Sequence, residues 1–201
     1  AFYGATSLTS ITIPNSVTTI GYMVFRNATS LTSITIPNSV TTIGDYTFYG
    51  ATSLTSITIP NSVTTIGYMV FRNATSLTSI TIPNSVTTIG QFAFYGATAL
   101  ASVTFEADSV LTSIGKYAFR NASALTSIII PNSVTSIGDS AFSGATALAS
   151  VTFEGNAPTT VGTDAFLNVG TDAVANIGFA ATDFGEGTTW NGLTIVRAGD
   201  T

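Results

Sequence analysis

The chain has 201 residues, 45% of them hydrophobic and only 7% charged, with a formal net charge of −5. Ordinary globular domains carry roughly 25% charged residues, so Thr and Ser must supply the surface polarity here, and the clustered Lys and Arg needed for nucleic-acid phosphates or an anionic membrane face are excluded. There is no Cys and no His, which removes disulfides, thiolate metal sites, the Ser-His-Asp triad and the commonest general base.

Self-similarity organises the rest. The chain opens inside a repeat, at Phe2-Tyr3-Gly4, without a charged leader, a hydrophobic core segment or a cleavage site. That start is expected of a piece cut from a longer protein. No apolar run approaches the ~18 residues of a membrane-spanning helix.

The stretch Thr9-Ser10-Ile11-Thr12-Ile13-Pro14-Asn15-Ser16-Val17-Thr18-Thr19-Ile20-Gly21 recurs at residues 32–44, 55–67 and 78–90, a period of 23. Looser copies are marked by Ile114-Gly115, Ile137-Gly138 and Val161-Gly162. The fifth copy gains two residues around 106–111, and the seventh gains one near 155–158. A longer period of 46 lies on top, because residues 1–46 and 47–92 are nearly the same block. Duplication of a two-copy unit accounts for that; a consensus design is the other reading, and the irregular later copies favour a natural origin.

Within the first copy, Leu8-x-x-Ile11-x-Ile13 contains a period-2 step that predicts a strand, with Ile11 and Ile13 inward and Ser10 and Thr12 outward. Pro14-Asn15 ends it, since Pro donates nothing to a ladder. Val17-Thr18-Thr19-Ile20 predicts a second short extended segment, closed by a tight turn at Gly21. Residues 22–25 are too few for a full helix and predict one helical or 3₁₀ turn. Two residues after each Phe stands Gly4, Asn27, Gly50, Asn73, Gly96, Asn121, Gly144 or Asn168. Gly and Asn are the types that tolerate left-handed backbone, so positive φ is predicted at all eight.

One copy cannot bury Phe2, Leu8, Ile11, Ile13, Val17 and Ile20 by itself. Stacked copies can, and each buried side chain is worth ~1.5–3 kcal/mol before entropy. Strands then repeat every ~4.8 Å. The expected organisation is about seven tandem copies over residues 1–168 and a capping segment over 169–201, where the repeat is lost and Trp190, the chain's single Trp, appears.

The pattern Leu-Thr-Ser-Ile-Thr-Ile-Pro-Asn-Ser-Val-Thr-Thr-Ile-Gly-x-x-x-Phe-x-Gly/Asn-Ala resembles the BspA-like leucine-rich repeats of bacterial surface proteins, over residues 1–168. Where that family often has Cys, this chain has Ala5, Ala28, Ala51, Ala74, Ala97, Ala122 and Ala145, so a thiol role is lost. The segment 173–196 is similar, more weakly, to the stretch that closes such arrays. The resemblance implies a mainly β, right-handed leucine-rich-repeat solenoid, with a parallel sheet on one side and short second strands and single helical or 3₁₀ turns on the other. It also implies secretion and adhesion to proteins or cells.

Two sets of residues are candidate ligand surfaces. Ser10, Thr12, Ser33, Thr35, Ser56, Thr58, Ser79, Thr81, Ser102, Thr104, Ser150 and Thr152 form an uncharged hydroxyl ladder on the sheet face, with Ile129 interrupting the Thr column. It reads as a solvated face, as a binding surface, or as an ordered array facing ice. Tyr3, Arg26, Tyr49, Arg72, Tyr95 and Arg120 form a stripe on the opposite, convex side, where neighbouring coils would place each guanidinium near phenol rings. That reads as structural stacking or as a recognition stripe.

Asn15, Asn38, Asn61, Asn84 and Asn132 are expected to hydrogen-bond turn backbone. Asn27, Asn73 and Asn121 sit in glycosylation acceptor patterns that recur because the repeat recurs. Glu106, Asp108 and Glu154 are carboxylates on a solenoid rim, where a paired-acid cleft is not expected.

The expected function is therefore an extracellular or cell-surface module, part of a longer secreted chain, presenting the Ser/Thr face to a protein or glycan. An ice-binding protein and a structural spacer are the rivals. No enzyme activity, catalytic residue, cofactor, metal, nucleic acid or membrane insertion is expected. End-to-end self-association through the uncovered first copy is expected.

Overall fold

Alternation of inward aliphatics with outward hydroxyls makes each copy one coil, and backbone hydrogen bonds stack the coils. The computed structural model describes residues 2–199; Ala1, Asp200 and Thr201, the outer ends of the segments 1–168 and 169–201, lie outside the described residues. On one side, Ser33–Thr35 pairs with Ser56–Thr58 and Ser79–Ile82 with Ser102–Phe105, both parallel. Ser127–Ile130, Ser150–Phe153, Val174–Ile177 and Leu193–Arg197 continue as one parallel sheet. The first coil joins by a single bridge, Thr12 to Thr35.

A second side is built from two-residue strands. Thr19–Ile20 pairs with Thr42–Ile43, and Thr65–Ile66, Thr88–Ile89, Ser113–Ile114, Ser136–Ile137 and Thr160–Val161 follow in parallel. The result is a β-solenoid of about eight turns, with no helix among the described residues.

Each turn contributes one ring to a column of phenylalanines. Phe2, Phe25, Phe48, Phe71, Phe94, Phe119, Phe142 and Phe166 stack nearly parallel, 5.1–5.5 Å between centroids. Leu31, Leu54, Leu77, Leu100, Leu125 and Leu148 form a second fully buried column. Covering decides burial: Ile34 and Ile36 are buried, whereas Ile11 and Ile13, on the uncovered first coil, are only half-buried.

The helical or 3₁₀ turn expected over residues 22–25 does not form. Met23 has φ 57°, and the equivalent Tyr46, Met69, Phe92, Tyr117, Ser140 and Asp164 are also left-handed, which interrupts any right-handed helix. The N–H groups of Met23, Phe25 and Asn27 instead donate to the carbonyls of Asp45, Thr47 and Tyr49 in the next coil, at 3.1, 3.0 and 2.7 Å. Local turn bonds such as Arg26 N–H to Met23 O, 3.2 Å, lie between them. This side is therefore also a coil-to-coil ladder, which satisfies backbone groups that a single helical turn would leave unpaired.

All eight positions predicted left-handed have positive φ, from 55° at Asn168 to 75° at Gly144. Their alternation has a packing cause. A Cβ on Gly50 would lie 2.5 Å from Oδ1 of Asn27, and one on Gly96 would lie 2.6 Å from Oδ1 of Asn73. Each Asn amide fills the space over the next coil's glycine, which favours Gly after Asn along the stack and agrees with the 46-residue period. The column at Gly21 is also explained by contact. A Cβ on Gly44 would lie 2.6 Å from the carbonyl carbon of Gly21, and one on Gly90 2.7 Å from that of Gly67.

Much of the hydroxyl content holds coils together. Oγ1 of Thr41, Thr87, Thr112 and Thr135 donates to the carbonyl one coil back, at 3.1–3.4 Å. Oγ of Ser39, Ser62 and Ser85 donates to the carbonyls of Val17, Val40 and Val63, at 2.5–2.7 Å. These serines do what was expected of the Asn beside them. Among the described residues only Asn84 of that column donates a side-chain bond, to Ala107 O at 3.3 Å.

The tail adds further strands to the stack. Asn191 and Gly192, both with positive φ, turn the chain so that Thr189–Trp190 pairs antiparallel with Leu193–Arg197, the hairpin that Asn-Gly favours. Trp190 packs against Phe153, Phe166 and Phe184 at 5.0–6.1 Å, over the last coil's core.

Candidate functional site

Strand pleating brings the hydroxyl ladder onto one face. Registers Ser33↔Ser56, Thr35↔Thr58, Ser79↔Ser102 and Thr81↔Thr104 set like side chains in columns, one coil apart. Ser10, Thr12, Ser33, Thr35, Ser56, Thr58, Ser79, Thr81, Ser102 and Thr104 are all exposed. Unlike the coil-bridging hydroxyls, they engage no protein hydrogen-bond partner among the described residues. Ser150 and Thr152 differ: both are half-buried, and Ser150 Oγ accepts a 2.7 Å bond from Asn176 Nδ2. Ile129 stands 53% exposed in the Thr column. The free part of the ladder thus runs over the first five coils.

The Tyr/Arg stripe lies on the turn side. The Arg26 guanidinium sits 5.6 Å from the Tyr3 ring centroid and 4.9 Å from that of Tyr49. Arg72 lies 5.7 Å from Tyr49 and 4.7 Å from Tyr95. Arg120 contacts Tyr117 instead, at 5.3 Å. Nε of Arg26, Arg72 and Arg120 is buried with no hydrogen-bond partner, and Nη1 of Arg26 and Arg72 approaches Sδ of Met23 and Met69 at 3.4 and 3.5 Å.

Beside the stripe runs a second aromatic column that sequence reasoning missed: Tyr22, Tyr46, Tyr68, Phe92 and Tyr117, with successive centroids 4.8–6.0 Å apart. Its signal was present but out of phase. The aromatic follows the coil's glycine by one residue at Tyr22 and Tyr68 and by two at Tyr46 and Phe92. The two columns interlock through Tyr46 with Tyr49 and Phe92 with Tyr95. Desolvation, and then the Tyr68 phenol, hold the Tyr46 hydroxyl above its ordinary pKa. At the column's end Lys116 Nζ meets Asp139 Oδ2 at 3.0 Å. That bond raises the Lys116 pKa and lowers that of Asp139, which also accepts Thr163 N–H at 3.0 Å.

Contrary to the expectation for a solenoid rim, the two extra residues of the fifth copy shape a cleft of about 370 Å³. Glu106 and Asp108 line it with Glu154, two coils away, over a floor that includes Phe105, Ile129 and Pro131. Glu106 Oε2 accepts Asn84 N–H at 3.1 Å. Among the described residues no group of three His, Cys, Asp or Glu is placed to hold a metal.

Comparison with known proteins agrees with this geometry. A family model described as the BspA type leucine-rich repeat region matches residues 1–111 and 64–186, in six copies. No curated protein matches. Among solved structures, a T. pallidum leucine-rich repeat protein is 26% identical, with a TM-score of 0.73, over 80% of this chain and 76% of that one. A Bacteroides ovatus leucine-rich repeat protein is 24% identical, TM-score 0.60, over 94% and 59%. The pneumococcal vaccine antigen PcpA is 19% identical, TM-score 0.56, over 85% and 62%. The last two are likenesses of fold alone, and this chain spans about three-fifths of their length.

Proposed function

Because the chain belongs to the BspA type leucine-rich repeat family, whose members are generally interaction or surface modules, we propose that it is a surface-exposed bacterial binding module that presents its Ser-x-Thr face to a protein or glycan. The observation that carries this reading is the division of labour among hydroxyls. Those at the bends bond the neighbouring coil, whereas those of Ser33, Thr35, Ser56, Thr58, Ser79 and Thr81 are exposed and free of protein partners. A free hydroxyl both donates and accepts, and fixed columns of them suit a ligand with repeated polar groups. Secretion, and a place within a longer surface chain, belong to the same proposal.

The test is a printed array of glycans and extracellular matrix proteins, probed with the wild type and with T35Q/T58Q/T81Q. Gln is bulkier than Thr but neutral, so it adds no like-charge column to the sheet. The expected result is specific binding that the variant loses while its circular dichroism is unchanged. Binding that survives the substitution would remove this face from the function.

The ice-binding reading rests on the same register, which repeats an uncharged Thr at each coil. Ile129 and the half-buried Thr152 weigh against it, because they end the array after five coils. Thermal hysteresis with faceted ice crystals would favour it; disc-shaped crystals would leave the binding module. A spacer role predicts no array ligand at all.

A further inference from the structure

We propose that the turn side is a second binding surface, for an acidic polysaccharide that carries one anionic group per disaccharide. Four of the chain's five basic residues, Arg26, Arg72, Lys116 and Arg120, stand on this side, and the fifth, Arg197, is in the tail. Lys116 is paired with Asp139, the one ion pair among the described residues. The charges of Arg26, Arg72 and Arg120 are therefore left without carboxylate partners.

These guanidiniums are held in place. Arg26 and Arg72 lie between the rings of adjacent coils, and each gives one Nη to a methionine sulfur. Their remaining Nη donors are free for an acceptor oxygen. A planar guanidinium fixed by ring faces is suited to bidentate recognition of a carboxylate or sulfate.

Spacing selects the ligand. Gly50 N–H donates to Arg72 O and Asn27 N–H to Tyr49 O, so one coil separates Arg26 from Arg72, and another, that of Tyr95, separates Arg72 from Arg120. The cations thus recur every second coil, about 10 Å apart at strand spacing. Duplex DNA carries a charge about every 1.7 Å and would leave most of its phosphates unmatched here. An extended glycan with an acid on every second sugar presents charges at about the length of a disaccharide. Between the cations, Tyr3, Tyr49 and Tyr95, whose faces hold the guanidiniums, and the neighbouring column of Tyr22, Tyr46 and Tyr68 offer ring edges and phenol hydroxyls to the sugars.

The charge distribution favours the early coils. Residues 1–105 carry Arg26 and Arg72 against Asp45 alone, a net +1, whereas three cations and nine acids leave −6 in residues 106–201. This surface is separate from the Ser-x-Thr face and stands independently of that reading.

The experiment is calorimetric titration of the 201-residue chain with a hyaluronan decasaccharide, which bears one carboxylate per disaccharide. The same decasaccharide with its carboxylates reduced to alcohols, a chitin oligosaccharide and a short single-stranded DNA are run beside it. The proposal expects binding to intact hyaluronan only, weakening with salt. It expects R26Q/R72Q to weaken binding roughly tenfold or more, as loss of two charge-assisted contacts demands. R26K/R72K, which keeps the charge but not the fork, should fall between. No binding by the wild type, equal binding of the reduced or neutral glycan, or equal binding of the DNA would overturn it. The carboxyl-reduced ligand decides the matter even if the Gln variant unfolds.

Discussion

At the scale of single residues, contact more than conformational preference explains the invariant letters of the repeat. Gly90 lacks a side chain because the Gly67 backbone occupies the place of its Cβ, whereas Gly178 has open space around it. G90A should therefore cost at least about 1–3 kcal/mol, as overpacking does, and G178A no more than ~0.5 kcal/mol; urea melts of both variants check this. The eight Gly/Asn positions were legible because few other residues accept positive φ. The second left-handed column was not. Met23, Tyr46, Met69 and Phe92 carry no local signature of that conformation, and the hydrogen bonds to the next coil impose it. Asp139 gives a pH prediction. Its pKa is lowered in the fold, first by Lys116 and then by Thr163 N–H. The stability it adds is therefore present above its unfolded pKa and lost as pH falls through its folded one. The raised Lys116 acts at the alkaline end, in the opposite sense. D139N should melt below the wild type at neutral pH, and the two melting curves should converge on acidification below the ordinary carboxylate range.

At the scale of elements, the strand and its inward Ile pair were readable from one period-2 step, because a half-buried strand leaves that pattern in any sequence. The turn segment was misread as helical. Its length was judged alone, but its hydrogen bonds run between coils, and these cannot be seen within one copy. The missed aromatic column has the same origin, since a one-residue phase shift hides it along the chain but not across the stack. The hairpin at Asn191-Gly192 was not read from the sequence, although its dipeptide carries the signal for one. The stacked ring column gives the energetic prediction. Phe71 is fully buried between Phe48 and Phe94, so F71A should cost about 3–5 kcal/mol. Phe2 is 41% exposed and stacks on one ring only, so F2A should cost much less. Chemical denaturation of the pair measures how far coil stacking carries stability.

At the scale of the whole molecule, a solenoid gives each side its own chemistry, and this chain exposes the face of its first coil. The first coil leaves Ile11, Ile13 and Val17 half-buried around an apolar recess of about 300 Å³. Uncovered strand edges and apolar surface promote association. Sedimentation of this chain should show weight-average mass rising with concentration, and I11E/V17E should suppress the rise; a constant monomer mass would rule this contact out. The two long sides differ in kind, one uncharged and hydroxyl-bearing, the other aromatic and cationic. Neither assignment could be completed from the sequence, because which hydroxyls are consumed by the fold and which guanidiniums lack partners are properties of the stack. The most direct measurement is therefore one array of proteins and glycans probed in parallel with the wild type, T35Q/T58Q/T81Q and R26Q/R72Q. Two ligand sets that do not overlap are expected, with acidic glycans lost only in the Arg variant and the remaining ligands lost only in the Thr variant. A wild type that binds nothing, or variants that both retain every ligand or both lose the same ones, would contradict the two assignments.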